Sequence, residues 1–275
     1  MNKVFLTLRK ILAILKRFRD RSRNLSSRPR NIFTNHKLHL ISYGDKKYRK
    51  TKERLFNEAI RSNWFYSINI FGEKDLSAAF RNEFQDLLNL EKGGGCYVWK
   101  FYIILRKLAE INSGDFLIYL DSGCSINEAG SKRLEEYIQI IKNDEYKIIS
   151  FQMNFLDQAF TTRQIFNAFG IPINDEVERT GQFVGGILIM QKCNDVIKIF
   201  EDCLDKIRKD HLLITDHYNT DQFDIFRENR HDQSILSVAR KKHGSIVIPD
   251  ETYFLDFNSE SALKTPFLAT RKRRG

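Results

Sequence analysis

Five apolar residues, Phe116-Leu117-Ile118-Tyr119-Leu120, end on Asp121, and Ser122-Gly123-Cys124 follow. A run of that length and content reads as a strand buried on both faces, the habit of parallel sheets covered by helices. In open α/β sheets, ligands lie in the crevice beyond the carboxyl ends of the strands. Asp121 falls at that point. A carboxylate there can hold a ribose hydroxyl or a divalent cation that carries phosphate. The plainer alternative is an acid that caps the next turn.

The rest of the body alternates in the same way. The patterning predicts strands over 38–43, 64–71, 116–120, 147–151, 183–190 and 245–249. It predicts helices over 48–62, 78–90, 98–111, 131–143, 161–169, 194–209 and 232–242. Asn194 is expected to cap its helix, and Ser113-Gly114 to end the one before the key strand. Such alternation implies a mostly parallel sheet with helices on both faces. Gly93-Gly94-Gly95 breaks the chain but is no P-loop. It lacks a preceding apolar strand and a closing Lys-Ser/Thr, and no G-x-G-x-x-G occurs.

The charge is concentrated at the ends. Of the net +10, residues 1–30 carry +9 and Arg271-Lys272-Arg273-Arg274 carry +4, which leaves −3 on the remainder. A slightly acidic body argues against a nucleic-acid-binding fold. Val4, Phe5, Leu8, Ile11, Leu12, Leu15 and Phe18 form one apolar stripe at helical spacing. Lys3, Arg9, Lys10, Lys16 and Arg17 gather on the other side. This predicts a helix over 1–19 lying on an anionic membrane surface, or else one packed on its own domain. The basic pairs break any span, and no secretory cleavage site follows. Residues 20–36 read as a linker. Cys96, Cys124, Cys193 and Cys203 form no C-x-x-C pair and no zinc spacing. That suits a reduced, cytoplasmic setting, with Cys124 a small packed residue or a reactive one.

Four segments then converge. They are the Tyr43-Gly44-Asp45 strand end, Gly93-Gly94-Gly95-Cys96-Tyr97-Val98-Trp99-Lys100, Tyr119-Leu120-Asp121-Ser122-Gly123-Cys124, and Val184-Gly185-Gly186-Ile187-Leu188 followed by His231-Asp232-Gln233-Ser234-Ile235-Leu236. In this order they resemble bacterial and viral nucleotide-sugar-dependent glycosyltransferases of the GT-A fold, over roughly residues 37–270. The resemblance implies residues 1–36 as helix and linker, and 37–275 as the transferase domain. It implies transfer of a hexose-type sugar from a nucleotide sugar, most simply a UDP-sugar, to a glycan or lipid-linked acceptor in polysaccharide biosynthesis. With the basic helix, the expected location is cytoplasmic, on the inner face of a membrane.

The resemblance also assigns roles. Tyr43 and Asp45 would meet base and ribose. Lys100 would meet diphosphate or sugar. Asp121, with Ser122 beside it, matches the first acid of the Asp-x-Asp motif and would hold Mn²⁺ or Mg²⁺. Gly185 and Gly186 would let the sugar approach the backbone. Asp232 would bind a hydroxyl or activate the acceptor. The second acid of the motif is replaced by Gly123, which puts metal dependence in question, and Arg271 or Arg273 would replace the metal's charge. Each residue also has a bland role. Lys100 can be a solvated helix residue, Gly185-Gly186 a close packing contact, and Asp232 an acid favoured by its helix dipole. His231 is a conceivable ligand, though such histidines are more often structural. The contrasting function is a degenerate GT-A-like binding module at a membrane or acidic partner.

Overall fold

The computed structural model describes residues 36–172 and 176–272. The helix and membrane contact expected for 1–19, the linker up to 35, and Arg273 lie outside the described residues.

Among the described residues nine strands form: β1 (Leu38–Tyr43), β2 (Ser67–Phe71), β3 (Phe116–Leu120), β4 (Ser125–Ile126), β5 (Ile148–Leu156), β6 (Gly181–Phe183), β7 (Ile187–Gln191), β8 (Ile246–Pro249) and β9 (Phe267–Leu268). The principal helices are α1 (Arg49–Ser62), α2 (Trp99–Glu110), α3 (Ser131–Asn143), α4 (Asn194–Lys209) and α5 (Asp232–His243). Seven strands make one sheet with β1 between β2 and β3, then β7, β5 and β6, while β8 pairs with β5.

The sheet is covered on both faces, as the apolar runs require. Ile41 and Tyr43 of β1, with Leu117 and Tyr119 of β3, pack into one core with α2, α4 and α5. Leu38, Leu40, Phe116, Ile118 and Leu120 point the other way, into a second core with α1 and α3. Successive strand residues face opposite sides, so both registers must be apolar. The helix after β1 and the helix before β3 therefore lie on opposite faces. That arrangement makes the gap between the ends of β1 and β3 a topological switch point.

The sheet is mostly parallel as expected, with five of its seven strands running one way, and two features go beyond that expectation. Three of the six strand pairings in the large sheet are antiparallel, because β6 and β7 run against the other five strands. The strand expected over 183–190 is also broken. Gln152 of β5 pairs with Phe183 and Pro249, and Ile149 pairs with Ile189 and Ile246. Thus β6 and β7 share one flank of β5, interrupted at Val184–Gly186, and β8 takes the other. Arg240 of α5 is fully buried and donates from Nη2 to the Val184 carbonyl at 2.9 Å. It pins the edge of the break.

Smaller differences have local causes. The helix expected over 78–90 is two short pieces, Ala78–Glu83 and Gln85–Leu88. Asn194 is the first helical residue of α4 rather than its cap, and no side chain caps that end.

The second sheet, β4 with β9, has no sequence signature, since each strand has only two residues. It brings the C-terminal segment beside the turn after β3. There the Gly123 carbonyl accepts from Thr270 Oγ1 and from the Lys272 amide, both at 3.0 Å. From the other side Arg54 of α1 donates from Nη2 to the carbonyls of Ser122 at 2.8 Å and Cys124 at 2.9 Å. Its Nη1 pairs with Glu58 at 2.9 Å, and Glu58 in turn accepts from the Ile126 amide at 2.9 Å. Charged hydrogen bonds in such half-buried settings contribute about 1.5–3 kcal/mol. Arg54→Ala is therefore expected to cost about 2 kcal/mol and lower Tm by roughly 5 °C. An unchanged melting curve would show that the turn does not depend on this clamp.

Candidate active site

The Gly93 segment enters α2 through an unusual backbone. Gly93, Gly94, Gly95, Cys96 and Tyr97 all have positive φ, between 48° and 101°. Glycine takes that region freely, whereas Cys96 and Tyr97 do so at a cost. The left-handed turn sets the start of α2, so Lys100 faces the sheet end. Trp99 donates from Nε1 to the Gly93 carbonyl at 2.9 Å and stacks on Tyr43, with ring centroids 3.8 Å apart. Tyr43 is buried and forms the wall at the end of β1. Asp45 lies just beyond it and accepts from the Lys47 amide at 2.6 Å.

Lys100 is the centre of the site. Its side chain is 2% exposed, and its ammonium is paired with Asp232, stands 3.4 Å from Asp121 Oδ1, and donates to the Gly185 carbonyl at 3.1 Å. A lysine on the first turn of a helix is ordinarily solvated. This one is buried because two carboxylates await it. Burial alone would lower its pKa, but Asp121 and Asp232 outweigh that and hold it above the ordinary lysine value. Burial pushes the Asp232 carboxyl upward against the pull of Lys100.

The two acids differ in access. Asp232, at the start of α5, has a side chain 7% exposed, whereas that of Asp121 is 45% exposed. Tyr119 donates from its hydroxyl to Asp121 Oδ1 at 2.5 Å, and the Asp121 amide donates to the Gly186 carbonyl at 2.8 Å. Oδ1 is therefore occupied and Oδ2 is the freer oxygen. A Cβ at Gly186 would come within 2.7 Å of Oδ2, and one at Gly185 within 2.8 Å of Gln233 Cβ. Close approach, not backbone conformation, requires these glycines.

The structure brings together Lys100, Asp121, Asp232, Gly185 and Gly186, and sets Tyr43 and Asp45 at the neighbouring strand end. Ser122 is buried in the turn with its carbonyl held by Arg54. Arg271 reaches the same turn through the backbone: a Cβ at Gly123 would stand 3.4 Å from its Cα, an ordinary contact. Gly123 has no left-handed φ, so neither space nor backbone demands glycine there. Cys124 is buried and its thiol is pushed up by that burial, which favours the packing role.

Sequence reading missed several contributors. Gln233 accepts from the Gly185 amide at 3.1 Å and donates to Gln182 at 2.7 Å, fixing the break. Tyr119 looked like core alone. Arg54 showed only its i,i+4 acid, Glu58.

No protein-family profile and no curated protein matches this sequence. Among solved structures, the chain is similar to a glycosyltransferase involved in glycosylation of the major capsid of the virus PBCV-1. That pair shows 14% identity and a TM-score of 0.46, covering 84% of this chain and 92% of the other. It is similar to the galactosyltransferase LgtC in complex with donor and acceptor sugar analogs, at 12% identity and TM-score 0.44, covering 82% and 83%. A third likeness is to mouse xyloside xylosyltransferase 1, at 10% identity and TM-score 0.44, covering 80% and 88%. At TM-scores below 0.5 these likenesses carry no weight for function, which has to be read from the crevice.

Removing one partner of a buried pair leaves an uncompensated charge and costs about 3–5 kcal/mol. Lys100→Met is expected to lose that much by chemical denaturation, and Lys100→Met with Asp232→Asn to regain most of it. Because the Lys100 pKa is raised, the pair's contribution is complete below the ordinary lysine pKa and is lost only as pH climbs past the raised value. Without Lys100 the buried Asp232 carboxyl is pushed up unopposed, so Lys100→Met regains stability as pH falls and that carboxyl takes up a proton. The difference from wild type should widen from acid towards neutral pH and persist until Lys100 itself titrates. A difference that vanished at pH 8 would contradict a charged, buried Lys100.

Proposed function

We propose that this chain transfers a sugar from a nucleotide-sugar donor to a hydroxyl-bearing acceptor. One observation carries the reading: the accessible carboxylate of Asp121 stands at the β1/β3 switch point, backed by the buried Lys100–Asp232 pair and faced by bare backbone at Gly185-Gly186. A crevice at such a switch point takes nucleotides in open α/β sheets. The tyrosine wall and Asp45 at the end of β1 suit base and ribose. Asp121 and the two glycines suit the phosphate-linked sugar.

In the transfer, the acceptor oxygen bonds to the anomeric carbon while the bond from that carbon to the diphosphate oxygen breaks. The electron pair leaves with the nucleoside diphosphate, and the acceptor proton passes to a base or water. Asp232 offers Oδ1 to a sugar hydroxyl, since Oδ2 is taken by Lys100. Acceptor activation as a base remains its second role in this reading. Lys100 serves as a fixed internal cation that aims both acids, rather than as a mobile clamp on phosphate.

A divalent cation needs several oxygen or nitrogen donors around it. Among the described residues no group of three or more His, Cys, Asp or Glu side chains could hold one. Asp121 Oδ1 already accepts from Tyr119, and Gly123 supplies no second acid. Asp121 Oδ2 is left free, which on its own does not make a resident metal site but can take a cation that arrives with the donor's phosphates. We therefore assign neutralisation of the leaving diphosphate to Arg271 and Lys272 of the C-terminal segment. Mn²⁺ or Mg²⁺ arriving with the donor is the outcome that a metal-dependent response would reveal. A UDP-hexose donor, a glycan or lipid-linked acceptor, and a cytoplasmic place on a membrane inner face reached through residues 1–19 complete the proposal.

The missing acid at Gly123 favours one second reading, a binding module that holds a nucleotide sugar without turning it over. A thermal-shift panel of UDP, GDP, CMP and their sugars, with EDTA or Mn²⁺, tests both. One nucleotide series is expected to raise Tm, equally in EDTA. Asp121→Ala, and Gly186→Ala through its clash with Oδ2, are expected to weaken binding about tenfold or more with the fold retained. No response to any nucleotide would remove the transferase reading. Binding without release of nucleoside diphosphate in the presence of mixed acceptors would leave the module.

A further inference from the structure

His231 immediately precedes Asp232, and its backbone is the most irregular point of the site. It has φ 54° and ψ −121°, a combination that side-chain-bearing residues rarely adopt. The residue is 4% exposed. Its Nδ1 lies 2.8 Å from the Ile214 carbonyl oxygen. A carbonyl only accepts, so Nδ1 carries the hydrogen and, in the neutral ring, Nε2 presents a bare lone pair. That Nε2 is buried and has no hydrogen-bond partner. Buried polar atoms without partners are uncommon and ask for an explanation. The strained backbone sharpens the question, since strain of this kind collects where a side chain must be aimed.

The surroundings place the ring beside the site, with Asp216 the nearest acid to Nε2. The ring lies 6.0 Å from the Tyr97 ring, and Tyr97 in turn lies 5.8 Å from the Lys100 ammonium. His231 thus flanks the Lys100–Asp232 pair on the side of the left-handed Gly93–Tyr97 turn. The charged group paired with it, Asp216 Oδ1, stands 3.6 Å from Nε2, beyond hydrogen-bonding range. The Asp216 side chain is about half exposed and is held by Lys92 at 2.8 Å. Exposed pairs of this kind are weak, so the Asp216 carboxylate can swing aside and open the way to Nε2. With Nδ1 already satisfied, the ring is a fixed acceptor that can take one hydrogen from an arriving O–H.

Building on the transferase reading, we infer that His231 Nε2 accepts a hydrogen bond from a hydroxyl of the donor sugar, next to the hydroxyl bound by Asp232. Together the two residues form a sugar-reading edge at the start of α5. His231 is then a specificity residue, and nucleotide binding at β1 does not depend on it.

The substitution that isolates this role is His231→Asn. The asparagine amide nitrogen takes the place of Nδ1 and keeps the bond to the Ile214 carbonyl, while nothing replaces Nε2. Asparagine also tolerates positive φ better than most residues. Isothermal titration would compare the full-length wild-type chain with His231→Asn, using UDP and UDP-glucose, UDP-galactose, GDP and GDP-mannose, and CMP and CMP-sialic acid. For the pair that binds wild type, the nucleotide-sugar Kd is expected to rise about three- to tenfold, the scale of one lost hydrogen bond. Kd for the free nucleotide and Tm should stay as in wild type. An unchanged nucleotide-sugar Kd would overturn the inference and leave His231 a structural residue. Equal weakening for nucleotide and nucleotide sugar, or a lowered Tm, would overturn it as well. A wild-type chain that binds none of the probes would instead remove the transferase reading on which the inference stands, and the two failures are thereby told apart.

Discussion

A buried ammonium organises this molecule. Lys100 lies among apolar side chains at the end of the sheet, where an isolated charge would be strongly disfavoured. It is tolerated because Asp121 from β3 and Asp232 from α5 converge on it and the Gly185 carbonyl completes its shell. Each of these groups comes from a different part of the chain. The contact therefore ties α2, β3, the β6–β7 break and α5 to one point, and an error in any of them would strand a charge. The same contact leaves Asp121 compensated by a cation and half exposed at the sheet end.

The outer parts follow from the need to hold that point still. Arg240 and Gln233 fix the break in the antiparallel flank, so that two glycines present backbone where a side chain would strike Asp121 or Gln233. Arg54 fixes the turn after β3 from the α1 side, and the C-terminal segment fixes it from the other. The backbone of Arg271 and Lys272 is thus brought to the turn after Asp121 through the small β4–β9 pairing.

Much of this was legible in the residues, and what was not has physical causes. β1, β3, α3 and α4 were read to their observed ends, because their apolar periodicity is strong and their boundaries carry Gly, Asp or Ser signals. Asp121, Gly185-Gly186 and Asp232 were singled out from local motifs, and the structure places them within one site. The break between β6 and β7 was hidden because Phe183 to Met190 is apolar throughout except for its glycines, and glycine within an apolar run marks a bulge and a plain strand alike. The burial of Lys100 could not be read at all. It depends on two acids, one 21 and the other 132 residues downstream, meeting it in space. The roles of Arg54, Gln233 and His231 are long-range for the same reason. The two-residue strands β4 and β9 are too short for any periodicity, so the route by which Arg271 reaches the Asp121 turn was invisible.

The central claim is that the crevice beyond β1 and β3, built around Lys100, is where a nucleotide sugar binds. Hydrogen–deuterium exchange on the full chain, with and without the nucleotide sugar that stabilises it, tests this most directly. The account expects slowed exchange at 43–48, 93–100, 121–124 and 184–187, with α3 and the β8 edge unchanged. Protection confined to other segments, with these four indifferent to the ligand, would contradict it.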